Sequence, residues 1–375
     1  MTATATWVDR CARGLGMHGG VVRRVRPVGL LEGAIASVTV VIPCYNYGHF
    51  LPFAVASARE QSGVKVNVVI VDDASPDGSG DVATALAAER PDIRVVRHEQ
   101  NKGHIATYRD GLEAVTGEYC ALVSADDLLT PGCLALAVAV MERHPGVGFV
   151  YGHPRNFSGD PPDDNSTHVG SWTLWPGQRW IAGRCRTARN PVYSPEVVVR
   201  TSVQRLVGPY EPSLPHTADL EMWLRMAAVA DVARVNGPVQ ALRRVHGANM
   251  SETKFASAVD DLVERAAAFD YFFTHAGRRL DGAPRLHQRA TARLVLEILD
   301  QANDLRDAGA PVSEVAQVLE AARRLDARRL HRAWGAEAVL DGPAGAWRSV
   351  IRAKTAIDRG LRRRMAWQTW QRAGL

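Results

Sequence analysis

The chain alternates between short β-branched runs and longer stretches with helical periodicity. Residues 38–42 (Val-Thr-Val-Val-Ile) stop at Pro43, and residues 66–71 (Val-Asn-Val-Val-Ile-Val) end in Asp72-Asp73. Both read as buried strands, since little polar alternation interrupts them. Residues 93–97 and 119–123 read as third and fourth strands. Residues 196–200 read as another, and 232–235 and 239–245 as edge strands. Helices are expected over 49–61, 80–90, 104–115, 131–143 and 218–230, the last with Leu220, Trp223, Leu224 and Ala227 on one side. Strand and helix alternate at intervals too long for hairpins, which predicts a largely parallel sheet covered by helices. Residues 152–191 break this pattern. They are rich in Pro, Gly, Asp and Trp and read as a long loop with short elements over the site. From about residue 255 the sequence is Ala-, Leu- and Arg-rich and helical, interrupted at Gly342-Pro-Ala-Gly345. The expected division is an N-terminal extension over 1–36, an α/β domain over 37–254 and a helical region over 255–375.

Composition adds limits. The 375 residues are 46% hydrophobic and 23% charged, values of a soluble globular protein. No apolar run reaches the roughly 20 residues that span a bilayer. The stretch from Met1 to Ala36 lacks the apolar core of a signal peptide, so a cytoplasmic location is expected. The five cysteines (Cys11, Cys44, Cys120, Cys133 and Cys185) have no metal or disulfide spacing, and Cys44 and Cys120 read as small core residues. The net charge of +5 is carried almost wholly by arginine and concentrates after residue 320, in Arg323, Arg324, Arg328, Arg329 and Arg362 to Arg364. A solvated helix surface accounts for it, with peripheral contact to an anionic membrane as the alternative. No nucleic-acid partner is expected, and the C-terminal helices are a candidate homodimer surface.

The candidate chemistry lies at strand ends. Pro43-Cys-Tyr-Asn46, Asp72-Asp73 and Asp126-Asp127 each follow the carboxyl end of an expected strand, where α/β sheets bind ligands. They should therefore meet at one edge. Adjacent like charges at Asp126 and Asp127 are costly to leave uncompensated. A hard divalent cation would compensate them, whereas capping of the following helix would be the plainer use.

Taken in order, the motifs resemble those of the inverting family-2 glycosyltransferases with the GT-A fold. The resemblance covers roughly residues 37–250. It rests on Val40-Val-Ile-Pro-Cys-Tyr-Asn46, Val69-Ile-Val-Asp-Asp-Ala-Ser-Pro-Asp-Gly-Ser79 and Asn101-Lys-Gly103 with the helix after it. Ser124-Ala-Asp-Asp127, Asp219-Leu-Glu-Met-Trp-Leu-Arg225 and Arg243-Arg-Val-His-Gly-Ala-Asn-Met-Ser251 complete it. It implies a Rossmann-like, mostly parallel sheet flanked by helices, with a C-terminal helical extension. It also implies a hexosyltransferase-type enzyme moving one sugar from a nucleotide-diphosphate sugar, UDP-sugar being commonest, to an acceptor hydroxyl on a glycan, small molecule or peptide. Pro43, Tyr45, Asn46, Asp72, Asp73, Lys102, Arg109, Ser124 and Asp126 would then meet the donor. Asp126, with Asp127 and His246, would hold Mn²⁺ or Mg²⁺, and Asp219 would be the general base. Trp172, Trp175, Trp180 and Trp223 are candidate acceptor contacts, although a local aromatic core is equally consistent with them.

The chain departs from the family pattern in places. Ser124 stands where the metal motif usually has its first Asp, which makes Asp126 the safer ligand. Ala218 stands where an acid often precedes the base. Gln178-Arg-Trp180 is similar to a motif of processive synthases but lies before the base helix, so processive synthesis is rejected. A sugar-nucleotide nucleotidyltransferase is disfavoured because Pro43-Cys-Tyr-Asn-Tyr-Gly48 is not a Gly-rich basic loop. A non-catalytic sugar-nucleotide-binding scaffold is disfavoured by Asp126, Asp219 and His246.

Overall fold

A computed structural model of the chain describes residues 21–27, 35–88, 90–162, 169–249 and 258–334. The first two expected strands are the centres of β2 (Ser37–Cys44) and β3 (Lys65–Asp72), which pair in parallel with Ile42 opposite Ile70 and Cys44 opposite Asp72. β4 (Ile93–Arg97) runs parallel to β3, and β5 (Tyr119–Leu122) runs parallel to β2 on its other side. Parallel neighbours need crossovers. Here they are α1 (Leu51–Arg59), α2 (Ser79–Ala88) and α3 (His104–Glu113). α1 buries Leu51, Ala54, Val55 and Ala58, the i, i+3, i+4, i+7 face of an amphipathic helix. α3 lies so close to the sheet that a Cβ on Gly111 would meet Val41 Cγ1 at 2.4 Å.

Beyond β5 the described part of the main sheet becomes mixed, in the order β1-β9-β11-β7-β10-β5-β2-β3-β4. β10 (Val198–Arg200) is antiparallel to both β5 and β7 (Val147–Tyr151). β11 (Asp231–Asn236) is parallel to β7 and antiparallel to β9 (Ser171–Trp175). β1 (Arg23–Val25) pairs with β9. A second described sheet has the order β6-β12-β8, from Leu128–Leu129, Ala241–Arg244 and Pro154–Phe157. α4 (Cys133–Arg143), α5 (Gly177–Thr187), α6 (Thr201–Val207) and α7 (Ala218–Val229) complete this part of the chain.

Three expectations need correction. β11 and β12 are inner strands, not edges, because β9 and β8 occupy their outer sides. Residues 152–191 are not mainly loop: they contain β8, β9 and α5, and every residue of β9 is buried. The four tryptophans do not line a site. Trp172, Trp175, Trp180 and Trp223 are at most 3% exposed. Trp175 stacks on Tyr151, Trp180 meets Phe149 edge-on, and Trp223 stacks on Phe149 with centroids 5.5 Å apart. Trp223→Ala is therefore expected to cost about 3–5 kcal/mol of stability, the range for buried aromatic truncation, read by chemical denaturation. An unchanged midpoint would contradict its place in the core.

The described residues fall into two compact units, each built from discontinuous stretches. The first, carrying both sheets, lies within Met1–Ile181, Val192–Ala256 and Tyr271–Asp281; the second lies within Ala182–Pro191, Ser257–Asp270 and Gly282–Leu375. In the second, α9 (Ala283–Asp307) buries Leu294, Val295, Ile298 and Leu299, and α10 (Val312–Trp334) buries Val318, Leu319 and Ala322. Glu297 there accepts from Arg189, Arg265 and Arg293 at 3.0–3.4 Å. α8 (Ala258–Thr274) contributes to both units. No helix among the described residues is long and apolar enough to cross a membrane. Arg362 to Arg364, part of the basic cluster, lie outside the described residues, as does Cys11. Burial pushes the Cys44 thiol up to about 11, and those of Cys120, Cys133 and Cys185 up to about 12, as expected for core residues.

Candidate active site

The carboxyl ends of β2, β3 and β5 open into a cleft of about 680 Å³ within the first unit. Pro43, Tyr45, Asn46, Asp73, Ser124, Asp126, Asp127 and Asp219 all line it, so residues 176 positions apart in sequence share one cavity. The loop after β2 turns at Asn46, in the left-handed region with φ 61°. Asn46 N donates to Ser75 Oγ at 3.0 Å and Gly48 N to Ser79 Oγ at 2.7 Å, which clips this loop to the one after β3. Asp77 accepts in turn from the main chain and hydroxyl of Ser79.

Asp73 is used by the protein itself. Its Oδ1 accepts from His98 Nδ1 at 2.7 Å and Lys102 N at 2.8 Å, and its Oδ2 from Gly103 N at 2.9 Å. Burial alone would raise its carboxyl, but these bonds outweigh burial and hold it below the usual range. Gly103 is the N-cap of α3, with φ 84°, a backbone conformation that suits glycine. Asp73 thereby fixes the start of α3, whose His104, Ile105, Thr107 and Tyr108 form one wall of the cleft.

Asp126 and Asp127 are 5% exposed and are not helix caps. β6 follows them, and α4 begins at Cys133 with Gly132 as its N-cap. Asp127 Oδ1 accepts from Arg244 N at 2.9 Å. Asp126 Oδ2 accepts from Asn249 Nδ2 at 3.1 Å and lies 3.1 Å from His246 Nε2. Burial, and after it the neighbouring charge of Asp126, holds the Asp127 carboxyl well above the ordinary range. Two adjacent buried carboxylates have the donor chemistry of a hard cation site. Among the described residues no three His, Cys, Asp or Glu side chains form a ready cage. Mg²⁺ is commonly held by one or two carboxylates plus substrate phosphates, so the set fits a cation completed by a diphosphate.

Asp219 sits in the first turn of α7, where the helix dipole favours an anion, and its Oδ1 accepts from Leu220 N at 2.7 Å. The N-cap position belongs to Thr217. Around it stand Tyr108 and Tyr210, edge to face with centroids 5.5 Å apart. Burial first, then the charge of Asp219, raises both phenols, and Asp126 and Asp127 raise Tyr108 further. Across the cleft, Tyr47 is raised to about 12 by burial and by Asp126 and Asp127. Both phenols and the Tyr47 hydroxyl therefore stay neutral donors at ordinary pH. Arg225 pairs with the fully buried Glu221 at 2.8 Å and donates to the carbonyls of Val207 and Pro209, so it holds α7 to the preceding loop.

Some expected residues lie elsewhere. Asp72 is buried beside the cleft, 3.9 Å from Arg97 Nε. Lys102 Nζ binds Asp110 at 3.0 Å in a separate depression, and Arg109 is exposed on α3 outside the lining. His246 belongs to the site through Asp126, packed between the rings of Tyr47 and Phe50. Sequence reasoning missed Tyr108, Tyr210, Arg243 and Asn249. Tyr108 was within reach, because positions 104 and 108 share the face of a helix starting after Gly103.

A parallel sheet whose strand ends carry the 43–48 loop and the Asp126-Asp127 pair, closed by the helix of Asp219, is the GT-A arrangement. Its solved likenesses include Staphylococcus aureus TarS 1-349 in complex with UDP-GlcNAc, at TM-score 0.57 and 17% identity, covering 81% of this chain and 88% of that one. Residues 39–206 match the family described as Glycosyl transferase family 2. Curated relatives include the uncharacterized glycosyltransferase alr2836 of Nostoc sp., 35% identical over 30% of this chain and 35% of that protein. Glycosyltransferase GlyG of Streptococcus pneumoniae is 33% identical over 24% of this chain and 31% of its own. The chain thus spans about a third of the length of these relatives.

Proposed function

We propose that this chain is a metal-dependent, inverting glycosyltransferase that moves one sugar from a nucleotide-diphosphate sugar to an acceptor hydroxyl. Its candidate catalytic residues lie in the first of the two units. The observation that carries the reading is that Asp126, Asp127, Asp219 and Tyr108 line one cleft at the strand ends. A base and a cation-binding pair therefore face one cavity.

Asp126 and Asp127 would hold the cation, which when bound would supply Lewis-acid stabilisation to the charge growing on the diphosphate, and His246, whose Nδ1 accepts from Ala248 N and whose Nε2 faces Asp126 Oδ2, would steady Asp126. Asp219 accepts the proton of the acceptor hydroxyl as that oxygen bonds to the anomeric carbon. The bond from that carbon to the diphosphate breaks on the opposite face, and its electron pair leaves with the nucleotide. The fixed start of α3 and the 43–48 loop orient the donor without reorganising during the step. TarS, which shares the fold, is named with UDP-GlcNAc, and this supports a UDP-sugar as the first donor to try.

A panel of UDP- and GDP-sugars, incubated with the protein and Mn²⁺, tests the reading. Slow, Mn²⁺-dependent release of a nucleoside diphosphate from at least one of them is expected. Release from none, with or without candidate acceptors, would overturn it.

A further inference from the structure

We infer that Asn249 is a positioning residue of the cation-binding end of the cleft. The inference rests on the reading of Asp126 as ligand to a divalent cation. Asn249 is 8% exposed and follows β12 on the closing segment. Its Nδ2 donates to Asp126 Oδ2 at 3.1 Å and to Arg244 O at 3.3 Å, and its Oδ1 accepts from His246 N at 2.6 Å. The main chain adds a turn, Asn249 N to His246 O at 3.1 Å. One carboxamide therefore holds both the Asp126 carboxylate and the backbone of His246. It sets the rotation of the Asp126 carboxylate and the backbone of His246, whose Nε2 reaches the same Oδ2.

The sharing of Oδ2 has a chemical result. With Asn249 and His246 both on that oxygen, Oδ1 is the oxygen of Asp126 left for a cation. A carboxamide suits the post because it donates and accepts at once without charge. A lysine would compete with the cation, and an aliphatic side chain would leave the carboxylate and the His246 N–H unheld. The ligand class is a hard divalent cation, Mg²⁺ or Mn²⁺, with a nucleoside diphosphate on it.

The test uses the full chain with Mn²⁺ alone as probe, titrated by electron paramagnetic resonance of the free ion, beside the melting temperature without metal. Asn249→Ala is expected to fold with a modestly lowered melting temperature, since it leaves buried polar groups unheld, and to lose about tenfold or more in Mn²⁺ affinity, the scale seen when partners of metal ligands are removed. Asn249→Ser, too short to reach both Asp126 and the His246 backbone, is expected to give the same loss if the alanine variant folds poorly. Wild-type Mn²⁺ affinity in either folded variant overturns the role of Asn249 alone. Absence of Mn²⁺ binding by the wild type overturns the role and the metal-site reading together. Failure of both variants to fold also overturns it, by making Asn249 a structural residue.

Discussion

Asp219→Asn is expected to abolish sugar transfer while sparing donor binding. Asparagine keeps the volume, the place in the first turn of α7 and an acceptor for Leu220 N–H, but it cannot take a proton. General-base removal typically costs about 10²–10⁴ in rate. The stability cost is small, because losing one charge at a helix start is worth about 0.3–1 kcal/mol. The measurement is the transfer rate with the donor found by the panel, beside UDP binding in Mn²⁺. Full activity in the variant would remove Asp219 as base. Loss of UDP binding with loss of rate would place it at the donor instead.

The second large effect is expected at the strand end. Asp126→Ala removes the acceptor shared by Asn249 and His246 and leaves Asp127 as the remaining acid of the pair. It is expected to abolish stabilisation by UDP in the presence of Mn²⁺. For the wild type at 100 times the dissociation constant, linkage gives about 2.7 kcal/mol, or a melting shift of roughly 5–10 °C for a unit of this size. The variant should melt at the same temperature with and without the two ligands. A wild-type shift in the variant would move the cation off Asp126.

Much of this was legible in the sequence where charge interrupts a buried run. β2, β3 and β5 each end in a polar or acidic motif, and a parallel sheet gathers such ends at one edge, so Asn46, Asp73 and Asp126 fell together as expected. What the sequence hid has physical causes. Ser171–Trp175 is a five-residue strand whose brief alternation is lost among the surrounding Pro, Gly and Asp, and its tryptophans suggested a sugar platform instead of a core. Asp72 is the last residue of β3 and Asp73 the first beyond it, and Asp73 rather than Asp72 lines the cleft. The partners of Asp73 come from His98 and the start of α3, 25 to 30 residues away, and no local pattern announces them. Tyr210 enters the cleft from an irregular segment between α6 and α7, where periodicity says nothing.

On the function proposed above, a cation and a nucleoside diphosphate bind together at the Asp126 end of one cleft. Titration calorimetry of the wild-type chain with UDP, in Mn²⁺ and again in chelator, tests it most directly. Saturable binding near one equivalent is expected in Mn²⁺, with binding at least about tenfold weaker in chelator. Equal binding in both would contradict a cation-completed site, and no binding of UDP or GDP in either would contradict the nucleotide-sugar reading itself.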